Sequence, residues 1–248
     1  MRADVFFGPA TLHSAELQGR LVVVIDVLRA SSTIVVALAN GARTVIPFDS
    51  TDEVITRSKS FERSEVILAG ERKMRTVPGF DLGNSPSEFT PERVVGRTIL
   101  FSTSNGTAAL LALQGARDVL IGSFLNFSAV LAMVRSACRS GIDVALVCAG
   151  SDGQFALEDA VCAGHFVRGM TKRMANVALN DAARIAALAD RRYAADLRRL
   201  FEESSHGRAL ADAGYGDDLL LCASVDTHPV VPVYADRQIT RLGTDRGR

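Results

Sequence analysis

The sequence lacks any excess of charge, because 28 lysines and arginines balance 28 aspartates and glutamates. Without net charge there is no global field to attract a nucleic acid or an anionic membrane surface, so we expect neither as a partner. The sequence also lacks an uncharged apolar stretch of about 18 residues, the minimum for a membrane helix. Its first residues, Met1-Arg2-Ala3-Asp4, lack the apolar core of a signal peptide. We therefore expect a protein that is neither secreted nor membrane-bound.

Cysteine is scarce and scattered. Cys138, Cys148, Cys162 and Cys222 show no CxxC spacing and lie within or beside apolar runs. This arrangement argues against a thiolate metal site and against a disulfide framework. It fits a protein of the reducing cytoplasm.

What is present is the alternation of an α/β protein. Among the 248 residues, 48% are hydrophobic and 23% are charged, which is typical of a globular chain. Short β-branched runs alternate with longer helical patterns, which predicts a three-layer α/β/α fold around a largely parallel, or mixed, sheet. The predicted strands are Val22–Ile25, Thr44–Pro47, Val66–Leu68, Thr98–Phe101, Val119–Ile121 and Val144–Val147. The predicted helices are Ser31–Ala39, Ser50–Ser60, Asn105–Gln114, Asn126–Cys138 and Leu157–Met170.

The last third of the chain is less regular. Residues 175–212 have helical spacing and could form a small helical cap, and Leu219–Ala223 and Val230–Tyr234 are predicted late strands. Between Gly70 and Pro91 the pattern predicts one long irregular loop, a length that is usually functional. We expect a single domain over residues 1–242 and a frayed tail over 243–248.

Polar residues follow the first predicted strand directly. In parallel α/β sheets, ligands bind at the carboxyl ends of strands, where helix N-termini offer free N–H groups. Asp26 could ligate a cation or attack phosphorus, and Arg29 could bind phosphate or sulfonate oxygens, with Ser31 and Ser32 as neutral donors. Asp26 could equally be a helix cap and Arg29 a surface residue.

Three further segments offer candidate site residues. The loop that carries Glu71, Asp81, Asn84 and Ser85 could be a lid or a metal loop, although Asn84-Ser85-Pro86 alone could be an Asx turn. The segment Asn105-Gly106-Thr107 could bind an anion or simply cap a helix. Glu158 and Asp159 fall in the first turn of a helix, where acids also compensate the helix dipole. Each signal taken alone is weak.

Several phosphatase chemistries are excluded by missing residues. Gln154 stands six positions after Cys148, where a thiolate phosphatase requires arginine, and Leu28 stands two positions after Asp26, where haloacid dehalogenase-type phosphatases have a second aspartate. The four histidines form no cluster of the kind found in two-metal phosphoesterases. We expect them to be structural or exposed.

Eight ordered blocks between Val24 and Pro232 carry a family resemblance. They are VIDVLRASST from Val24, LANGA from Leu38, AGER from Ala69, GFDLGNSP from Gly79, STSNGT from Ser102, IGSFLN from Ile121, CAGSDGQFALED from Cys148 and SHGRALADAGYGDDL from Ser205. In these blocks the chain resembles the 2-phosphosulfolactate phosphatase family. The resemblance implies an α/β fold and the magnesium-dependent hydrolysis of 2-phospho-3-sulfolactate, a step toward coenzyme M.

From the residues and the resemblance together, we predict a Mg²⁺-dependent phosphatase acting on 2-phosphosulfolactate or a related small phospho-hydroxyacid. The alternative is a non-catalytic sensor or binding protein for a small phosphorylated or sulfonated metabolite. A homo-oligomer is possible.

The predicted site has three overlapping sets of residues. The predicted catalytic residues are Asp26, Arg29, Glu71, Asp81, Asn84 and Glu158. The predicted substrate-binding residues are Arg29, Ser31, Ser32, Ser85, Asn105, Gly106 and Thr107, and the predicted metal ligands are Asp26, Glu71, Asp81 and Asp159. The nucleophile could be a metal-bound water or Asp26 itself; we favour water, because no second acid near Asp26 is placed to protonate the leaving oxygen.

Overall fold

The structure, a computed structural model, describes residues 1–9, 12–104, 110, 113, 115–172, 174 and 176–243. Within these residues an eleven-stranded sheet, mixed but mainly parallel, carries helices on both faces. The strands are β1 (Arg2–Phe6), β2 (Leu21–Ile25), β3 (Thr44–Pro47), β4 (Val66–Arg72), β5 (Arg75–Thr76), β6 (Thr98–Ser102), β7 (Asp118–Gly122), β8 (Val144–Cys148), β9 (Ala178–Leu179), β10 (Pro232–Ala235) and β11 (Gln238–Arg241). The helices are α1 (Ala30–Ala39), α2 (Thr51–Ser58), α3 (Pro91–Val94), α4 (Phe127–Arg139), α5 (Leu157–Thr171), α6 (Asp181–Tyr193), α7 (Leu197–Glu203), α8 (Ser205–Asp212) and α9 (Gly216–Cys222).

The strand order is β5-β4-β6-β3-β11-β10-β7-β2-β8-β1-β9. Strands β4, β6 and β3 form one parallel group, and β7, β2, β8, β1 and β9 form another. The β10–β11 hairpin lies between the groups and pairs antiparallel with β7 on one side and β3 on the other. Three successive antiparallel pairings therefore separate the groups, which run in opposite senses along the sheet.

The three layers follow from alternation along the buried strands. All five residues of β2 are buried, and their side chains alternate between two cores. Val22 and Val24 pack on the face covered by α1, whereas Val23 and Ile25 pack on the face covered by α4, α5 and α6. A strand buried on both faces reads as a continuous apolar run, which is why the sequence predicted it.

All six predicted central strands are present, and the α/β class is confirmed. The predicted strand Leu219–Ala223 is wrong, because these residues lie in or directly after α9. Short apolar runs do not by themselves separate a strand from a helix. Here the buried residues Asp218 and Cys222 are four apart, so one helical face points inward.

The predicted long loop from Gly70 to Pro91 is only partly irregular. Strand β4 continues to Arg72 and turns into β5 through a two-residue tip, so the loop opens with a hairpin. The sequence also failed to predict three strands, β1, β9 and β11. Strand β9 has only two residues, and β11 directly follows the turn of the β10–β11 hairpin. The predicted helix Asn105–Gln114 lies outside the described residues, apart from Leu110 and Leu113.

Of the segment 175–212, for which helical spacing was predicted, Ala178–Leu179 form β9, and α6, α7 and α8 follow between Asp181 and Asp212. Helix α6 packs mainly on α5 and also contacts β1, whereas α8 supplies side chains to the cleft described below. No helix in the described parts of the chain is long and apolar enough to span a membrane.

Candidate active site

A cleft of about 540 Å³ lies where the segments that follow β2, β6 and β8 meet the β4–β5 hairpin and α8. Its described lining residues are Asp26, Leu28, Arg29, Glu71, Lys73, Met74, Asn84, Thr103, Ser104, Ser151, Asp152, Ser205, His206, Ala209 and Leu210. Acids, cations and hydroxyl groups thus meet in a space large enough for a small anionic molecule.

Asp26 occupies the junction between β2 and α1. Its backbone N–H donates to Ser31 Oγ (2.9 Å), and its Oδ1 accepts from the Ala30 N–H (3.2 Å) in the first turn of the helix. Burial raises the pKa of Asp26 to about 6; His206 and the Ala30 N–H oppose this shift, and Glu71 and Glu158 add to it. Asp26 is therefore a buried acid whose charge a cation would stabilise.

Asp159 lies behind this junction and is not among the described residues that line the cleft. Its Oδ1 accepts from the Val27 N–H (2.8 Å) and its Oδ2 from the Gly150 N–H (3.1 Å). Burial, followed by the nearby charges of Asp26 and Glu158, raises its pKa well above the usual value. Asp159 thus ties the loop after β2 to the loop after β8.

Glu71 faces the cleft from the end of β4. Its Oε1 accepts from the Ser104 N–H (2.8 Å) and its Oε2 from the Met74 N–H (2.8 Å). One carboxylate therefore joins the hairpin tip to the segment after β6. Since each carboxylate oxygen has two lone pairs, Glu71 can still accept a cation or a donor from the cleft.

Arg29 is buried in the cleft wall. Its Nη1 donates to Asp218 Oδ2 (2.7 Å), its Nη2 donates to the Met74 carbonyl (3.3 Å), and the guanidinium stacks over the Tyr215 ring at 4.1 Å. Asp218 also accepts from Ser85 Oγ through Oδ1 (2.6 Å). The arginine is thus held rigidly, and α9 contributes the acid that holds it.

His206 and Glu158 form a second ion pair, with 3.2 Å between His206 Nδ1 and Glu158 Oε1. Burial alone would lower the pKa of His206, but the Glu158 hydrogen bond and the charges of Glu158 and Asp26 raise it above the usual value. Glu158 is 1% exposed, and its Oε2 has no hydrogen-bond partner within the described residues. A histidine held in this way is suited to proton transfer.

The structure brings together only some of the predicted site residues. Asp26, Arg29, Glu71 and Asn84 line the cleft, and Asn84 Oδ1 is buried without a hydrogen-bond partner in the described chain. Glu158 contacts the site indirectly, because it pairs with His206. Ser85 also contacts it indirectly, because it donates to Asp218, which binds Arg29.

Other predicted site residues lie elsewhere. Ser31 and Ser32 hold the backbone of the loop after β2, through Asp26 N and the Val27 carbonyl. Asp81 pairs with Arg63 and accepts from the Leu68 N–H (2.9 Å), in a separate groove. The predicted anion-binding residues Asn105, Gly106 and Thr107 lie outside the described residues.

Sequence reasoning missed two residues of the site, His206 in the cleft and Asp218, which holds Arg29 from outside it. The expectation that every histidine would be structural or exposed is wrong for His206, which lines the cleft. Asp218 was hidden by the mistaken strand. The available signal was the block from Ser205 to Leu219, which carries both residues and is rich in polar side chains.

Comparison with known proteins shows the family of this chain. A family model described as 2-phosphosulpholactate phosphatase matches residues 6–237, which is nearly the whole chain. The chain belongs to this family. Members of the 2-phosphosulpholactate phosphatase family named "Probable 2-phosphosulfolactate phosphatase" include proteins of Symbiobacterium thermophilum, Caldanaerobacter subterraneus subsp. tengcongensis and Clostridium beijerinckii.

The similarity to these family members extends over whole chains. The Symbiobacterium protein is 45% identical over 92% of this chain and 96% of its own length. The Caldanaerobacter protein is 39% identical over 90% of both chains, and the Clostridium protein is 33% identical over 97% of this chain and 99% of its own. The cleft residues from Asp26 to His206 all fall within the matched range.

The donor set of the cleft fits a magnesium ion. Asp26, Glu71 and the buried, unpartnered Asn84 Oδ1 supply oxygen atoms, the ligands that Mg²⁺ prefers. In the described chain no group of three His, Cys, Asp or Glu side chains forms a ready metal site. Magnesium usually keeps several waters and needs only one or two carboxylates, so two acids and an amide suffice.

Proposed function

We propose that the protein is a Mg²⁺-dependent phosphatase that hydrolyses the phosphate monoester of 2-phosphosulfolactate or a related small phospho-hydroxyacid. Family membership supports the reaction, and the observation that carries it is the cleft in which Asp26, Glu71, Arg29 and His206 meet. Hydrolysis of a monoester requires neutralisation of charge on the phosphoryl group, an attacking water and a proton for the leaving oxygen. The cleft offers groups for the first and the third of these requirements.

Asp26, Glu71 and Asn84 are the residues that would hold magnesium, which when bound supplies positive charge to the phosphoryl oxygens. Arg29 stands in the same wall, and its pairing with Asp218 fixes the guanidinium without removing all of its N–H donors. The substrate phosphate would thus lie between the acids and Arg29. Positioning of this kind supplies most of the catalysis in phosphoryl transfer.

His206 is the proposed proton donor. Its Nδ1 is held by Glu158 Oε1, which leaves Nε2 for the leaving oxygen, and its raised pKa favours the protonated ring near neutral pH. The sequence suggested no acid for this step, since residue 28 is leucine. Cys148 takes no part, because burial raises the pKa of its thiol well above the usual value.

We also place the protein in the cytoplasm, since all four cysteines are free thiols.

The test is release of inorganic phosphate from 2-phosphosulfolactate, with and without EDTA. We expect release that EDTA abolishes and added Mg²⁺ restores. Mg²⁺ should also raise the melting temperature of the wild type, because it binds only the folded state. Asp26→Asn should lose both the activity and this Mg²⁺-dependent shift.

The matched control is Asp81→Asn, which changes an acid of the separate groove and should keep both properties. Release that persists in EDTA would contradict the metal dependence. Tight binding of the substrate without any release would favour the alternative of a sensor protein.

A further inference from the structure

Lys73 occupies a strained position at the rim of the cleft. With Met74 it forms the two-residue tip of the β4–β5 hairpin, where Arg72 pairs with Arg75. Both tip residues have positive φ angles, 52° for Lys73 and 67° for Met74. Such tips favour asparagine and glycine, because other side chains crowd the backbone there. A strained residue at the edge of a cleft is a candidate for function.

The hairpin tip is fixed by two charged residues of the site. Glu71 Oε2 accepts from the Met74 N–H at 2.8 Å, and Arg29 Nη2 donates to the Met74 carbonyl at 3.3 Å. Both backbone polar groups of Met74 are therefore held by side chains that line the cleft. Lys73, one residue earlier, is held at a defined place on the rim.

Of the cationic residues that line the described cleft, two are paired with an acid and one is not. Arg29 is paired with Asp218 at 2.7 Å, and His206 is paired with Glu158 at 3.2 Å. Among the described residues Lys73 has neither a hydrogen bond nor an ion pair, although its side chain is exposed beside the acids and amides of the site. It is therefore the lining cation that remains available to an anion.

We propose that Lys73 binds the sulfonate of the substrate, not its carboxylate, and makes the enzyme prefer phosphomonoesters that carry a sulfonate. This inference rests on the proposed function, which places the phosphate beside Asp26 and Arg29. In 2-phosphosulfolactate the sulfonate is separated from the phosphate by a short carbon chain. With the phosphate deep in the cleft, the sulfonate reaches the rim, where an exposed ammonium group pairs with it without the cost of deep burial.

The test compares two substrates that differ only in this group, 2-phosphosulfolactate and 2-phospholactate. Lys73→Asn removes the charge and suits the positive φ, so the hairpin stays folded. We expect kcat/KM for 2-phosphosulfolactate to fall about fivefold, the upper end of what an exposed ion pair contributes, and kcat/KM for 2-phospholactate to stay within about twofold. Lys73→Arg should restore most of the loss. Arg75→Gln, an exposed charge on the same hairpin that does not line the cleft, is the control and should leave both values unchanged.

Equal losses for the two substrates in Lys73→Asn would overturn the assignment. A binding measurement separates it from the proposed reaction, since calorimetric titration with sulfolactate needs no turnover. If the wild type releases no phosphate but binds sulfolactate more tightly than Lys73→Asn does, while the two proteins bind lactate equally, the hydrolysis fails and the sulfonate site stands. Equal affinity of the two proteins for sulfolactate would overturn the sulfonate site.

Discussion

Asp26 and Asp159 have identical side chains, but their surroundings give them different roles. Both are buried, and burial raises the pKa of each. Both oxygens of Asp159 accept backbone N–H groups, whereas among the described residues Asp26 accepts only the Ala30 N–H, and it faces the cleft. A carboxylate that lies away from the cleft and binds the backbone of two loops is structural, and one that faces the cleft beside other acids is ready for a cation.

His206 should matter most for substrates with a poor leaving group. Replacement by asparagine keeps a donor for Glu158 but removes the acid, so we expect kcat for 2-phosphosulfolactate to fall at least about a hundredfold. Hydrolysis of p-nitrophenyl phosphate should fall much less, because its leaving group needs little protonation. Steady-state kinetics with both substrates measure the difference.

His228→Asn is the matched control for this experiment, since His228 does not line the cleft and contacts Thr227. It should leave both activities unchanged. An equal loss for both substrates in His206→Asn would show that His206 positions the substrate and is not the proton donor.

At the scale of elements, helix α9 stabilises the site through Asp218, a residue that lies outside the cleft. Asp218 lies in its first turn and is 2% exposed, and it bonds both Arg29 and Ser85. Sequence reasoning missed this role, because the apolar run Leu219-Leu220-Leu221 suggested a strand. By contrast, β2 and the acid after it were predictable, since a continuous apolar run followed by Asp26 needs no distant partner to be recognised.

Asp218→Asn should destabilise the protein. It leaves the Arg29 guanidinium buried without its counter-charge, and the loss of one partner of a buried ion pair typically costs about 3 kcal/mol or more. Urea unfolding should show this loss in the free energy of unfolding. Asp217→Asn changes the exposed neighbour in the same turn and should stay within about 0.5 kcal/mol of the wild type. Equal stability of both variants would mean that the Arg29–Asp218 pair contributes nothing to folding.

At the scale of the whole molecule, the β10–β11 hairpin joins the two parallel groups. Val233 pairs with Leu120 of β7, and the buried Ile239 pairs with Val45 of β3. The last strands of the chain thus lie in the middle of the sheet. Without β10 and β11, strands β7 and β3 would each lose a hydrogen-bonded neighbour and become exposed sheet edges.

A chain that ends at Val230 should therefore fail to fold. We expect no cooperative thermal transition and strong aggregation for residues 1–230, measured by circular dichroism and size-exclusion chromatography. A chain that ends at Gly243 keeps the complete hairpin and should unfold at the wild-type temperature. Cooperative unfolding of the shorter chain near that temperature would show that the two groups hold together without the hairpin.

The sequence by itself determined the α/β class, the six central strands and the acids that follow them, because these depend on local patterns of apolar and polar residues. It did not determine which polar residues meet. Arg29 pairs with an acid 189 positions away, and Asp81, in the same loop as Glu71, turns to Arg63 in another groove. Such pairings depend on how distant segments pack, and no local pattern encodes them.

The shape of the assembled sheet decided which strand ends meet in the cleft. The two parallel groups run in opposite senses, so in a flat sheet Asp26 and Glu71 would lie at opposite edges. The two acids nevertheless line one cleft, so their meeting depends on how the assembled sheet bends in three dimensions. This bend is a property of the assembled sheet, and it exists only once the hairpin from the end of the chain has closed the gap between the two groups.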